Sequence, residues 1–149
     1  MRALSFIIAL SALCLAGCES MPDRFSTVPP KMQVFNGDEP AVSAAALQAF
    51  KRLDFLVTRS KGVELEAVSR IHTSVAFADS RQLSAKVQLI EAGPGKTEVD
   101  LSLTEEVQSQ SMGGTSQQDL RDHSFFQLYF ATLQQVLDEN AAGEIAKKN

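Results

Sequence analysis

The chain has no tryptophan, two cysteines and two histidines, and each scarcity closes off a class of chemistry. Two His and two Cys cannot assemble a Cys/His zinc site of ordinary spacing, so neither a metal nor a cofactor is expected. Positive charge is also in short supply. Lys and Arg number 14 against 18 Asp and Glu, a net charge of −4 that offers no footprint for nucleic acid. There is no Gly-x-Ser-x-Gly elbow. Asp122-His123-Ser124 holds the residue types of a hydrolase triad, but neighbours on a helix point about 100° apart and cannot form that relay among themselves. They read as the polar first turn of a helix. His72 stands at an expected strand end with no second ligand type nearby. No internal repeat is present. What remains is 149 residues, 44% hydrophobic and 21% charged: too apolar for a disordered chain, and the size of one ordinary domain.

Long apolar runs are lacking too. The longest, Ala3 to Ala16, falls short of the roughly 20 residues that span a bilayer. With Arg2 ahead of it and small residues at its end, it has the form of a secretory signal. Leu15-Ala16-Gly17-Cys18 resembles the lipobox of bacterial lipoproteins. The resemblance implies cleavage after residue 17, a thioether-linked diacylglycerol on Cys18 and a further acyl chain on the new amine. Each buried CH₂ contributes about 0.8 kcal/mol, and two or more chains are needed for stable anchoring. Cleavage would remove Cys14 and Arg2, leaving no free thiol and a net charge one unit more negative, −5 instead of −4. A negative domain is not drawn to anionic lipid, so the acyl chains must hold it alone. In Gram-negative lipoproteins an Asp after the lipidated Cys commonly signals inner-membrane retention. Glu19 at that position implies sorting to the outer membrane, facing the periplasm, with the inner membrane the lesser alternative.

Residues 18–37 read as the lipidated Cys and a tether, with Pro22, Pro29 and Pro30 among Ser, Thr, Asp and Arg. Met32 to Phe35 is a short apolar patch, either a brief strand or a piece sealing the domain base. A single domain is expected over 38–139. Asp38 stands as N-cap to a helix from Ala41 to Leu53, with Glu39 and Pro40 in the first turn. The apolar period then drops from 3.6 to 2. Phe55 to Ser60, Val63 to Ile71, Leu83 to Leu89 and Thr97 to Val107 read as four strands. Gly93-Pro94-Gly95 marks the sharpest turn between them. Alternation of this kind predicts an antiparallel meander with one buried and one wet face. Gln108 to Gln118 reads as a polar loop. A closing helix follows, capped by Ser116 and Asp119, with apolar residues Leu120, Phe126, Tyr129, Phe130, Leu133, Val136 and Leu137, those from Phe126 onward on one side and Phe125 and Leu128 widening that face. It is expected to end at Asn140 to Gly143, with 140–149 a frayed tail. The expectation is an α+β fold of order α-β-β-β-β-α, a four-stranded antiparallel meander with both helices on one face.

Leu53-Asp54-Phe55, Gly93-Pro94-Gly95 and Ser124-Phe125-Phe126-Gln127-Leu128-Tyr129-Phe130 carry a further resemblance. The chain is similar, over about 38–139, to small Gram-negative lipoproteins of unknown function with a helix–four-strand–helix domain. More distantly it resembles the helix-grip modules of outer-membrane assembly lipoproteins, which implies a protein-binding role.

Two candidate sites stand out. Glu64, Glu66, Glu98, Asp100 and Glu106 fall on outward strand positions and read as a solvated sheet face, with Lys86 and Arg70 as cross-strand partners. Phe126, Tyr129 and Phe130 with Val99 and Leu101 form either the core or an apolar groove between closing helix and sheet. The expected function is that of a lipid-anchored, non-enzymatic envelope module binding another envelope protein. The alternative is a carrier or sensor of a small apolar ligand held in that groove.

Overall fold

The computed structural model describes residues 28–74, 79–109 and 113–148. The signal, Cys18 and Glu19 lie outside the described residues. In chain order the elements are β1 (Lys31–Asn36), α1 (Glu39–Arg52), β2 (Leu56–Lys61), β3 (Glu64–Val68), β4 (His72–Thr73), β5 (Ser80–Gly93), β6 (Lys96–Ser109), β7 (Gly114–Asp119) and α2 (Ser124–Lys148). The fold is α+β: among the described residues, two helices lie against a large, wholly antiparallel sheet.

The expected count of four strands is corrected to seven among the described residues. The four read from alternation are β2, β3, β5 and β6. Of the three additions, β1 is the strand form of the Met32 to Phe35 patch, and β4 and β7 are pieces whose side chains do not alternate between core and water. β1 buries only Phe35, while β4 and β7 bury nothing. Their backbones pair with the long β5–β6 hairpin regardless, because an extended strand leaves its N–H and C=O groups in want of partners. The polar loop expected at Gln108 to Gln118 therefore contains a strand, with Thr104 to Ser109 of β6 pairing against β7.

The sheet order is β1-β6-β5-β3-β2, with β7 beside β1 along the outer edge of β6 and β4 beside β3 along β5. β5 and β6 turn at Pro94-Gly95, the turn that the glycine-flanked proline suggested, and Gly95 takes φ 66°, open to glycine at little cost. Inward positions Leu65, Ala67, Ala85, Val87, Val99, Leu101 and Leu103 are buried beneath the helices.

α1 starts at Asp38, whose carbonyl takes the Val42 N–H at 3.0 Å, although its side chain makes no capping bond. Pro40 sits in the first turn, and Lys51 and Arg52 in the last complement the helix dipole. The face turned inward is Val42, Ala45, Ala46, Ala49 and Phe50. Its small alanines let the helix lie close to sheet and partner helix. Leu53-Asp54-Phe55 ends it in a tight reversal. Asp54 adopts φ 61°, and the Phe55 N–H reaches back to the Phe50 carbonyl at 2.9 Å. That left-handed conformation favours glycine, and among other residues Asn or Asp.

α2 packs on α1 and on β1. Phe125, Phe126, Tyr129, Phe130, Leu133 and Val136 are buried, on the side the spacing predicted, whereas Leu128, expected to widen that face, is exposed. Its rings stack on α1 and its flanks: Phe50–Tyr129 centroids stand 4.6 Å apart, Phe55–Phe125 4.5 Å and Phe35–Phe130 6.1 Å. The helix begins at Ser124, and Asp119 belongs to β7 instead of the cap. The Asp119 carboxylate accepts the Thr104 hydroxyl at 2.9 Å, while the His123 Nδ1 accepts the Phe125 N–H at 3.2 Å. α2 also runs through Asn140–Gly143 to Lys148, past the expected end. A single Gly among Ala, Glu and Lys costs only about 1 kcal/mol in a helix and does not stop it.

Candidate functional site

Among the described residues the helices cover one face of the sheet and leave the other open. On the open face the register sets the outward side chains in rows. Glu98 lies opposite Ile90 and Val34; Asp100 opposite Gln88 and Met32; Ser102 opposite Lys86, which faces Glu66; Thr104 opposite Ser84 and Asp119. The five carboxylates expected on a wet face all occupy it. Lys86 stands across from Glu66 as expected, and Arg59 adds an ion pair to Glu66 at 3.5 Å. Arg70 does not join them. It pairs with Asp54 at 2.8 Å, at the end of α1.

Ser84, Ser102 and Thr104 are short, and Glu66, Lys86 and Asp100 around them are long. The contrast produces a polar trough of about 920 Å³. Val28 and Pro30, the first part of the described chain, lie at its margin. Within it the Asp100 Oδ1 is buried and accepts no hydrogen bond. Loss of solvation, and then repulsion from Glu98, raises the Asp100 carboxyl above the usual carboxylate range. The trough thus offers hydroxyls, amides and an under-satisfied carboxylate over a wide, shallow area. That suits a broad polar contact better than an enclosed small molecule.

A second, smaller hollow of about 450 Å³ lies between β1 and the first turns of α2, lined by Lys31, Gln33, His123, Phe126 and Phe130 among others. Lys31 and Asp122 form an ion pair at 3.1 Å beside it. Asp122, His123 and Ser124 do not act together here, since Lys31 engages Asp122 and the His123 Nδ1 holds the helix cap. Of the five apolar groove candidates, Val99, Leu101 and Tyr129 are fully buried. Phe126 and Phe130 are 6% and 8% exposed and present edges to the hollow. His72 is exposed on β4, and among the described residues no group of three His, Cys, Asp or Glu could hold a metal ion.

The trough is only half legible in the sequence. Alternation identifies which side chains face outward, but its hollow depends on Ser84, Ser102 and Thr104 meeting across strands. The short outward residues at those positions were the available signal.

No protein-family profile matches the chain, and no curated protein matches it. Among solved structures it is similar to the adenylate sensor from AMP-activated protein kinase, determined in complex with 5-aminoimidazole-4-carboxamide 1-beta-D-ribofuranotide. The identity is 20%, with 70% of this chain and 93% of that chain covered, and the TM-score is 0.41. A likeness at that level carries no argument about this chain.

Proposed function

We propose that the chain is a lipid-anchored, periplasm-facing envelope protein of the outer membrane, non-enzymatic, whose open sheet face binds another envelope protein. The observation that carries the reading is a juxtaposition. The lipobox cysteine Cys18 precedes Val28, at the margin of the polar trough, by ten positions (28 minus 18). Ten residues reach at most about 35 Å even when fully extended. Acylation at Cys18 would hold the trough within that distance of the bilayer, where membrane-embedded and membrane-anchored proteins present their periplasmic surfaces. The area on offer is wide, polar and shallow, in keeping with a protein partner.

Two measurements test it. Growth with an alkyne-tagged fatty acid is expected to label the full chain and to leave Cys18→Ser unlabelled; an unlabelled parent chain would end the anchoring claim. A photo-reactive residue at Gln88, in the trough, is expected to give one dominant protein adduct in living cells. The same residue at Leu128, exposed on α2, serves as the comparison. Equal and diffuse labelling from both positions counts against the trough.

A second reading has one observation in its favour. The hollow beside Phe126 and Phe130 is of ligand size, at about 450 Å³. A carrier of a small apolar molecule would release a stoichiometric lipid or metabolite on denaturation, visible by mass spectrometry. Phe126→Asp would abolish its retention.

A further inference from the structure

Four strands have a free edge among the described residues: β2, β4, β1 and β7. Three are poor templates for pairing. β4 is two residues long. β2 breaks register between Val57 and Arg59 and carries Arg59 and Lys61, and both a bulge and edge cations discourage a partner strand. β7 presents only Thr, Ser, Gln and Asp side chains after Gly114, with nothing apolar to bury. β1 has none of these defences along its middle. It pairs regularly with β6 over all six residues, and its Met32 and Val34 are 63% and 48% exposed.

The ladder also tells which backbone groups are free. Just past the last β1–β6 pair, the Gly37 N–H donates to the Gly95 carbonyl at 2.8 Å. Hydrogen-bonded and non-bonded pairs alternate in an antiparallel ladder. Phe35, Gln33 and Lys31 therefore turn their N–H and C=O groups toward β6. Met32, Val34 and Asn36 turn theirs to the open edge. Pro30, the preceding position in that series, has no N–H, so the usable edge starts at Met32. On the inner side of the same edge lies the hollow lined by Gln33, Phe126 and Phe130, with room for an inward-facing side chain of an added strand.

We infer that β1 is the pairing edge for a second copy of this chain, joined antiparallel across a two-fold axis at Gln33. In that register Met32 of each copy lies opposite Val34 of the other, and both pairs exchange main-chain hydrogen bonds. Four exposed apolar side chains become one cross-strand cluster on the outer face. The Gln33 of each copy turns inward at the axis, next to the hollow. A foreign strand would have to bring matching apolar residues at the right spacing, whereas a second copy supplies them by symmetry.

The test is sedimentation of the purified full chain in detergent between about 1 and 100 µM, with hydrogen exchange read at the Met32 and Val34 amides. The expected result is a dimer in which both amides are protected. Met32→Lys with Val34→Lys places like charges opposite each other and is expected to weaken the dimer at least about tenfold. Leu56→Lys, on the guarded β2 edge, is expected to leave the dimer unchanged. Because Lys substitution alters two residues at once, Val34→Pro provides a second variant: it removes one outward N–H, leaves the β6 ladder untouched, and is also expected to give a monomer. A parent chain that stays monomeric overturns the inference, as does a dimer that survives the double Lys change. Protection of Val34 that arises only on adding envelope extract assigns the edge to a different protein and overturns it equally.

Discussion

Tyr129 is the only tyrosine in a chain without tryptophan, and it is fully buried with a hydroxyl that finds no hydrogen-bond partner. An unbonded buried hydroxyl costs free energy, so Tyr129→Phe is expected to raise stability by roughly 1 kcal/mol in a urea titration. Burial also pushes the phenol far above its ordinary range. With the folded value raised above the unfolded one, the neutral phenol favours the fold at neutral pH, and that contribution is lost above the unfolded value of about 10. Absorbance at the phenolate band should therefore stay flat until the protein unfolds in alkali and then rise with the loss of circular dichroism. A smooth rise in a protein that remains folded would contradict the burial. Asp100 behaves in the opposite sense to most carboxylates. Its folded value is raised, so its charge opposes the fold above that value and the penalty fades as pH falls. Asp100→Asn is expected to stabilise at pH 7 by no more than about 0.5 kcal/mol, its side chain being partly solvated, and to have no effect in acid. Equal urea midpoints for the two proteins at pH 7 would show that the carboxyl is not strained.

Helix α2 depends on a cap that residue preferences did not point to. Ser116 and Asp119 have the usual chemistry for the role, yet β7 holds them on the sheet and the His123 imidazole takes the Phe125 N–H instead. His123→Ala is expected to cost about 1 kcal/mol, and His123→Asn, a good acceptor at a cap, to recover most of it; thermal unfolding of the three proteins decides. Equal melting temperatures would mean that solvent serves as well as the imidazole. The strands show the same division between local signal and pairing. β3, β5 and β6 were legible because their side chains alternate, and β2 only through Phe55 and Val57 at its start. β7 was not, because Thr115 to Asp119 are polar on both sides and its only reason to be extended is the far half of β6. The join between helices is likewise a matter of tertiary placement. Arg52 at the end of α1 makes a two-pronged contact with Glu139 of α2, one prong at 3.1 Å, 87 positions away in sequence. Arg52 and Gln135 together hold the Glu139 carboxyl below its usual range. The pair is solvent-exposed, so its loss below that value should leave the acid limb of stability nearly unchanged.

At the scale of the molecule, β1 is the piece that changes the reading. It precedes α1 and takes the first of the two forms open to the Met32 to Phe35 patch, a brief strand, lying beside β6 with the Phe35 and Phe130 rings 6.1 Å apart. Phe35→Ala is expected to cost about 3–5 kcal/mol, as for other buried aromatics, and to loosen the whole β1 edge in hydrogen exchange. A loss below about 1 kcal/mol would mean that β1 is an accessory strand. The sequence by itself determined the α+β class, the three alternating strands β3, β5 and β6, the Gly-Pro-Gly hairpin, the inward faces of both helices and the acidic outward face. All of these follow from periods of 2 and 3.6 residues and from backbone conformations that few residue types adopt, which are local properties. Tertiary structure alone decided that β4 and β7 join the sheet, making seven strands among the described residues, that its open face is hollow, and that β1 is its least guarded edge. Those features arise where short strands satisfy main-chain groups against β5 and β6 and where serines and threonines from different strands meet. Hydrogen bonding between distant backbones and juxtaposition across a sheet leave no periodic mark in the chain that makes them.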